Sequence, residues 1–261
     1  MTRYYAGIDV GSSATKVVLL DPDSRMVAKA LIPSGMDFED ASEKGFEQCL
    51  DEVGARKEDV AKVVSSGYGR KNVPFADSSK TEIACHARGA HFRFPRALTV
   101  VDIGGQDNKI IKIGDDGSRL DFKMNRKCAA GTGAFLEEIA RRMGVGIEEM
   151  EPLARQSTEH VEIGSFCTVF SATEILALVR RGVKTRDIAK GAFRSVVKRV
   201  IEMDSLAGTV VATGGVVAHN PIVVELMSEA IGHAVLTTDE PQFSGALGAA
   251  LYAVDEGRQQ E

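Results

Sequence analysis

The sequence predicts an α/β protein with a duplicated fold, in which two similar lobes face each other. The first observation is an internal repeat: a strand pattern, a glycine-rich turn and two more strand patterns occur near Asp9 and again near Asp102. In both copies the aspartate lies at the end of the first strand. The second observation is a further glycine-rich turn, at Gly214 and Gly215, between a strand pattern and a helix pattern. A repeated unit suggests two like lobes, and one glycine-rich turn from each would flank a cleft between them.

Composition and charge exclude several classes of protein. The chain has 261 residues, of which 44% are hydrophobic, and its formal net charge is -5. This content suits one large domain or two of ordinary size, and the negative charge argues against a nucleic-acid partner. No apolar run approaches the roughly 18 residues that a membrane helix needs, and a strand pattern follows the N-terminus with no signal peptide. We therefore expect a soluble, cytoplasmic protein with no membrane partner, in which cysteines stay reduced.

Hydrophobic periodicity and turn residues predict the elements of each lobe. The first lobe, residues 1–95, is expected to have strands at 4–9, 17–21, 27–32 and 60–65, helices at 40–53 and 81–92, and the C-terminal helix within 244–261 joined to it. The second lobe, residues 96–243, is expected to have strands at 98–103, 108–113, 120–124, 209–212 and 234–237, and helices at 134–143, 169–181 and 185–204. A further helix is expected to open with Asn220 at its cap and Pro221 at its first position.

The turn after the first strand has the residues of a phosphate-binding turn. Gly11, Ser12 and Ser13 form its tip, and glycine with small hydroxyl residues lets backbone N–H groups approach a phosphate. Asp9, at the strand end, can hold Mg²⁺ through water, and Lys16 can offset phosphate charge. The alternative is an ordinary hairpin turn that binds nothing.

The second repeat places a different set of residues at the same point. Asp102 ends the strand, and Gly104, Gly105 and Gln106 follow it. Gln106 suits the orienting of a water molecule better than the role of a base, which favours hydrolysis over transfer to a hydroxyl group. The third turn, at Gly214 and Gly215, lets the backbone approach a flat or anionic ligand closely. A tight strand-to-helix turn without a ligand is the alternative there.

Two of the four cysteines come just before helix patterns. Cys128 precedes a Gly-Thr-Gly turn and Cys167 precedes the next helix. The N-terminus of a helix favours a thiolate, which can ligate a metal, attack an electrophile or have no role. Cys49 and Cys85 fall inside helix patterns, and we expect them to be small buried hydrophobic residues.

Taken in order, these segments resemble the nucleotide-binding motifs of the actin, Hsp70 and sugar-kinase superfamily. Residues 9–16 look like its first phosphate loop, 102–107 its second and 213–218 its adenosine motif. Residues 127–133 and 167–170 narrow the resemblance to the activators, or component A, of 2-hydroxyacyl-CoA dehydratases and to their relatives in ATP-dependent benzoyl-CoA reductases. The resemblance runs from about Tyr4 to Ala253 and includes the segments 85–90 and 245–252.

The resemblance implies a function, a cofactor set and partners. Members of that family are homodimers, or related heterodimers, that share one oxygen-sensitive [4Fe–4S] cluster between subunits. They hydrolyse ATP to pass one electron at very low potential to an iron–sulfur dehydratase or reductase, and ferredoxin or flavodoxin is the expected upstream donor. A [4Fe–4S] cluster usually takes four thiolates, and a two-fold dimer supplies four if Cys128 and Cys167 are the ligands in each copy.

The site residues follow from the same motifs. Asp9, Asp102 and Gln106 are expected to act on Mg²⁺ and on the attacking water. The residues expected to contact ATP or ADP are Gly11, Ser12, Ser13, Lys16, Gly104, Gly105, Gly131, Thr132, Gly133, Gly214 and Gly215.

Two other functions stay open at this stage. A small-molecule kinase of the same superfamily would need a carboxylate base beside an acceptor pocket, and usually a longer chain. A non-enzymatic regulator that switches with ATP would not need Cys128 and Cys167 at helix starts. The electron acceptor is also open, since a dehydratase, a benzoyl-CoA reductase or another low-potential iron–sulfur reductase would each serve.

Overall fold

A computed structural model describes residues 3–164 and 168–259. In chain order the strands are β1 Tyr4–Val10, β2 Ala14–Leu20, β3 Met26–Pro33, β4 Val60–Gly67, β5 Ser78–Ser79, β6 Leu98–Ile103, β7 Asn108–Ile113, β8 Arg119–Asn125, β9 Val210–Thr213 and β10 Val235–Thr237. The helices are α1 Phe38–Val53, α2 Glu82–Arg93, α3 Gly133–Met143, α4 Met150–Arg155, α5 Thr168–Arg180, α6 Thr185–Met203, α7 Gly215–His219, α8 Ile222–Ile231 and α9 Ser244–Arg258.

The chain divides into two compact units. Unit 1 comprises Met1–Ala97, Ile113–Leu120 and Gln242–Glu261, and unit 2 comprises Leu98–Lys112 and Asp121–Pro241. Each unit has a five-stranded sheet, with strand order β3-β2-β1-β4-β5 in unit 1 and β10-β9-β6-β7-β8 in unit 2. The hairpin between β7 and β8 belongs to unit 1, whereas the sequence placed it in the second lobe.

In unit 1 the central strand β1 is buried on both faces. It pairs antiparallel with β2 and parallel with β4, and all its residues after Tyr4 are buried. One side packs on α1 through Phe46 and Leu50. The other side packs on α9, where a Cβ on Gly7 would collide with the backbone of Ala246 and Ala250. The absence of a side chain at Gly7 therefore allows α9 to lie directly on the strand.

In unit 2 the core lies among the sheet and the longer helices. Phe135 of α3 and Phe193 of α6 are fully buried in one cluster with residues of β6 and β9. Burial of one such aromatic side chain stabilises the fold by about 1.5–3 kcal/mol. β6 and β9 run parallel, with Asp102 opposite Thr213. The cluster therefore fixes the strand ends that carry the polar residues described below.

A buried carboxylate closes the end of α6. Asp204 accepts hydrogen bonds from Lys112 at 2.9 Å and Lys123 at 3.0 Å, and from the backbone N–H of Leu206. Burial raises the pKa of this carboxyl group, but the hydrogen bonds from the two lysines outweigh burial and lower the pKa to about 2. The pair of lysines therefore keeps Asp204 ionised at neutral pH.

The structure corrects two details of the predicted elements. Residues 215–219 form the short helix α7, which the sequence patterns did not predict. Asn220 was expected to cap the next helix, but its side-chain amide donates to the Val216 carbonyl at 3.0 Å and so closes α7. Pro221 is the N-cap residue of α8. In the part of the chain that the structure describes, no helix has the length and apolar character needed to cross a membrane.

Candidate functional site

In unit 1, the turn between β1 and β2 brings a carboxylate and an ammonium group together. Asp9 lies opposite Lys16 in the antiparallel register, and Lys16 Nζ is 3.5 Å from Asp9 Oδ2. Asp9 is 5% exposed. At the tip, the Gly11 N–H donates to the Ala14 carbonyl at 3.1 Å. A Cβ on Gly11 would lie 2.8 Å from that carbonyl oxygen and 3.0 Å from Lys16 Nζ, so a larger residue would crowd the turn.

The end of β3 supports this turn from behind. The Ser34 hydroxyl donates to the Gly11 carbonyl at 2.7 Å, and the Ser34 N–H donates to the Ser13 carbonyl at 3.1 Å. Ser12 and Ser13 remain exposed. The turn is therefore held by its carbonyl groups, while its small hydroxyl residues face solvent. This arrangement suits a phosphate-binding turn.

In unit 2, the equivalent aspartate is part of a buried polar network. Lys109 Nζ lies 3.1 Å from Asp102 Oδ2 and 2.8 Å from Asp107 Oδ1. The Thr213 hydroxyl donates to Asp102 Oδ1 at 3.1 Å. The side chains of Asp102 and Lys109 are 4% and 5% exposed. A carboxylate buried this deeply needs such partners, because an unpaired buried charge is strongly destabilising.

The sequence reasoning missed Lys109. A signal was present, since the spacing from Asp9 to Lys16 is the same as the spacing from Asp102 to Lys109. In both units the aspartate pairs with the lysine of the returning strand. Lys109 is therefore the counterpart of Lys16, and the internal repeat extends to the cation as well as the carboxylate.

The turn after β6 is tight and presents Gln106 to solvent. The Gly104 N–H donates to the Asp107 carbonyl at 2.9 Å, which closes the turn. Gln106 is exposed at its tip. Its amide group is therefore accessible to solvent, as a group that orients a water molecule must be.

The third turn crosses the end of β6. Gly214 has φ +98°, a conformation that favours glycine. A Cβ there would collide with the Ile103 carbonyl. The Gly214 N–H donates to the Pro241 carbonyl at 3.0 Å, and Gly215 begins α7. The backbone of this turn thus lies directly against the strand that carries Asp102.

The start of α3 is bound to the turn that carries Gln106. The Gly133 N–H donates to the Gly104 carbonyl at 3.0 Å, and the Ala134 N–H donates to the Gly105 carbonyl at 2.9 Å. The first N–H groups of a helix have no partner within the helix, and here two of them find partners on the neighbouring turn. The segment that follows Cys128 is therefore joined to the second glycine-rich turn.

Other polar groups before α3 are also used within unit 2. The Thr132 hydroxyl donates to the Ala129 carbonyl at 2.6 Å, and the Asn108 amide donates to the Gly131 carbonyl at 2.7 Å. Gly131 has φ +78°. Together with the Gly133 bond, these contacts hold residues 131–133 against the sheet. They fit a connecting segment better than a direct phosphate contact.

Cys128 is exposed and lies five residues before the first residue of α3. The Ala130 N–H lies 3.4 Å from its Sγ, and the Asn125 amide donates to its carbonyl at 2.9 Å. The Cys128 sulfur is therefore accessible and accepts one backbone N–H. The other predicted ligand, Cys167, lies outside the described residues. Within the described ranges, no three His, Cys, Asp or Glu side chains are grouped to hold a metal.

The remaining two cysteines are buried. Burial raises the pKa of both the Cys49 thiol and the Cys85 thiol to about 12. Cys49 lies on the buried face of α1, and Cys85 lies where α2 packs on α9. Thiols of this kind stay protonated at neutral pH and are inert.

Comparison with known proteins identifies the family. Residues 6–253 match the BadF/BadG/BcrA/BcrD ATPase family. The chain is 41% identical, over 99% of its length and 97% of the relative's, to the 2-hydroxyisocaproyl-CoA dehydratase activator of Clostridioides difficile. It is 40% identical to the (R)-2-hydroxyglutaryl-CoA dehydratase activating ATPase of Acidaminococcus fermentans, over 97% of this chain and 98% of that one.

The solved structures agree. The 2-hydroxyisocaproyl-CoA dehydratase activator from Clostridium difficile, solved with bound ADPNP, superposes with a TM-score of 0.91 at 39% identity, covering 98% of this chain and 96% of that one. A ROK family glucokinase from Streptomyces griseus has a TM-score of 0.60 at 12% identity, covering 97% and 99%, which shows a shared fold alone. The predicted actin, Hsp70 and sugar-kinase type of α/β fold is confirmed, and the chain belongs to the BadF/BadG/BcrA/BcrD ATPase family.

Proposed function

We propose that this chain is an ATP-hydrolysing electron donor that activates an iron–sulfur enzyme of the 2-hydroxyacyl-CoA dehydratase type. It works as a homodimer, in which Cys128 and Cys167 of both copies hold one [4Fe–4S] cluster. Support comes from the named relatives, which are activators of such dehydratases and match the chain over almost its whole length. The family relationship gives no support to the alternative of a kinase, which would transfer a phosphoryl group to a small-molecule hydroxyl group.

The nucleotide roles follow from the two glycine-rich turns. In unit 1, Asp9 holds Mg²⁺ through water, since Mg²⁺ keeps several of its waters when it binds to proteins. The side chains of Ser12, Ser13 and Lys16 contact phosphate, and Gly11, which has no side chain, keeps the turn open to it.

In unit 2, Asp102 has the equivalent role, and its charge is balanced by Lys109. Gly104 and Gly105 give phosphate access to the backbone. Gln106 orients the attacking water, and Gly214 and Gly215 lie against the adenosine.

When bound, the cluster supplies a one-electron carrier. The chain's contribution is to hold the ligand segment and to move it. The Ala130 N–H and the Cys128 Sγ are 3.4 Å apart, and hydrogen bonds to cluster sulfurs tune the reduction potential. An exposed Cys128 also leaves the site accessible to a partner enzyme.

The observation that carries the proposal is the pair of hydrogen bonds from Gly133 and Ala134 to Gly104 and Gly105. They join the second nucleotide turn to the start of α3, five residues from the cluster ligand. A shift of the turn therefore moves the helix and the segment before it. Such coupling requires ATP and ADP to differ in how strongly they favour each arrangement.

The first test asks whether the chain has the proposed activity. Protein purified under nitrogen should be brown, contain about four iron atoms per dimer and, with ATP and a reductant, activate a 2-hydroxyacyl-CoA dehydratase prepared without its own activator. Colourless protein that transfers phosphate to a small-molecule hydroxyl group would instead establish a kinase.

The second test addresses the coupling itself. The rate at which an iron chelator removes the cluster is compared with an ATP analogue, with ADP and without nucleotide. We expect different rates, and equal rates in all three states with an unchanged reduction potential would refute the coupling. Two matched variants sharpen the result: Gly133→Pro removes the N–H at a helix position that tolerates proline, while Gly133→Ala keeps it. The nucleotide dependence should be lost in Gly133→Pro and retained in Gly133→Ala.

A further inference from the structure

His86 of α2 is a buried titratable group that the roles above do not use. It is 6% exposed and lies beside Cys85 where α2 crosses α9. At this crossing, glycines replace side chains: a Cβ on Gly89 would collide with the Ser244 carbonyl, and one on Gly248 would collide with the Cys85 carbonyl. The close packing of two helix backbones brings His86 to the first turn of α9.

His86 and Asp9 both lie close to Gly245, in the first turn of α9. A Cβ built on Gly245 would lie 2.8 Å from Asp9 Oδ2 and 3.0 Å from His86 Nε2. Any side chain at position 245 would therefore collide with both the carboxylate and the imidazole. Glycine is needed here because these two groups approach the helix backbone closely, rather than for a special backbone conformation.

The other polar groups near Asp9 and Gly245 are almost all buried. Ser66 lies opposite Asp9 in the parallel register of β1 and β4 and is fully buried. Lys16 approaches the same carboxylate oxygen, with Nζ 3.5 Å from Oδ2. The first turn of α9 adds Ser244, which is also buried. Buried hydrogen-bonding groups brought together in this way suit an ordered water, which needs two to four polar partners.

We propose that His86 is a positioning residue of the magnesium–nucleotide site in unit 1, in which its Nε2 holds a water of the Mg²⁺ hydration shell together with the Asp9 carboxylate. This inference rests on the proposed function and deepens it. Mg²⁺ prefers oxygen ligands and dehydrates reluctantly, so a nitrogen beside its carboxylate acts on the bound water rather than on the ion. Outer groups of this kind commonly change metal affinity by 10- to 100-fold.

The competing explanation is that His86 only packs α2 against α9. The two explanations predict different results for a matched pair of substitutions. Glutamine places its amide near the position of Nε2, whereas asparagine reaches only the position of Nδ1. A water-holding role depends on Nε2, while a packing role depends on the shape of the whole ring.

The experiment measures metal binding without turnover. Mn²⁺ replaces Mg²⁺, and the free ion is followed by electron paramagnetic resonance in the presence of the full-length protein and a non-hydrolysable ATP analogue. Affinity for the analogue in EDTA is measured by calorimetry. His91→Gln is the control, since His91 lies on the same helix and contacts the Asp115 carbonyl instead.

We expect His86→Asn to weaken Mn²⁺ binding about tenfold, with His86→Gln close to wild type and the EDTA affinity unchanged in both. Unchanged Mn²⁺ affinity in His86→Asn overturns the inference, and so does equal weakening in both variants accompanied by equal losses of thermal stability. Failure of the wild type to bind Mn²⁺ with the analogue overturns the proposed nucleotide function as well. The two failures are therefore distinguishable.

Discussion

Replacing Lys109 by methionine should destabilise unit 2 by about 3–5 kcal/mol, because it leaves a buried carboxylate without its ammonium partner. The pair is almost completely buried, with Nζ 3.1 Å from Asp102 Oδ2. In Lys109→Met, Asp102 keeps the hydroxyl of Thr213, which does not neutralise its charge. Such a loss is a large fraction of the stability of an ordinary domain.

The control and the double variant isolate the charge effect. Lys112→Met removes a lysine that is 36% exposed and whose partner, Asp204, keeps Lys123, so we expect about 1 kcal/mol or less. In Lys109→Met with Asp102→Asn, no buried charge remains unpaired, and the cost should be lower than the sum of the two single costs.

Urea unfolding provides the assay, and the positions of the tyrosines allow the unfolding of unit 1 to be followed separately. The chain has four tyrosines and no tryptophan, and all four, Tyr4, Tyr5, Tyr68 and Tyr252, belong to unit 1. Tyrosine fluorescence therefore follows unit 1, while circular dichroism follows both units. The Lys109→Met variant should lower the midpoint seen by circular dichroism. A cost no greater than that of Lys112→Met would refute the argument that the buried pair supports unit 2.

Three further predictions address the site and the charges. Gln106→Ala should slow ATP hydrolysis about 100-fold while the nucleotide Kd from calorimetry stays near wild type, and a wild-type rate would remove Gln106 from the mechanism. In cluster-free native protein, iodoacetamide should label Cys128 within minutes but label Cys49 and Cys85 only after unfolding, because burial raises the pKa of both thiols to about 12; peptide mass spectrometry reads the sites, and early labelling of either buried thiol contradicts the packing. Asp204→Asn should lower the free energy of unfolding by about 2 kcal/mol at pH 7. Because the folded pKa of about 2 lies below the ordinary 3.8, that difference should shrink as pH falls from about 4 towards 2, and a difference independent of pH would contradict it.

Much of the fold was predictable because it depends on local patterns. The alternation of apolar residues and the turn residues located β1, β6 and their aspartates to within a residue or two. The same signals located α3, with Gly144 at its end in the left-handed conformation that glycine adopts readily. The family resemblance is confirmed because it rested on several such motifs in a fixed order.

The short helix α7 shows where local signals were insufficient. Gly214 and Gly215 indicated a turn, yet Gly215 is already the first residue of a helix. The reason lies in the tertiary structure. Gly214 packs against Ile103, and its N–H donates a hydrogen bond to the Pro241 carbonyl. These contacts fix the direction in which the chain leaves the turn. Two glycines in sequence indicate freedom of the backbone but not which conformation the neighbouring strand selects.

The amino-acid sequence alone determined which residues lie at the strand ends and just before the helices, since those positions follow from periodicity and turn chemistry. Only the tertiary structure decided what these residues touch. Thr213 reaches Asp102 from 111 residues away, the carbonyl of Gly104 receives the first N–H of α3, and His86 meets Asp9 across a glycine of the last helix. Such partners are selected by the packing of sheet and helices. Hydrophobic periodicity describes residues that are close in the sequence, and it therefore does not predict contacts between distant segments.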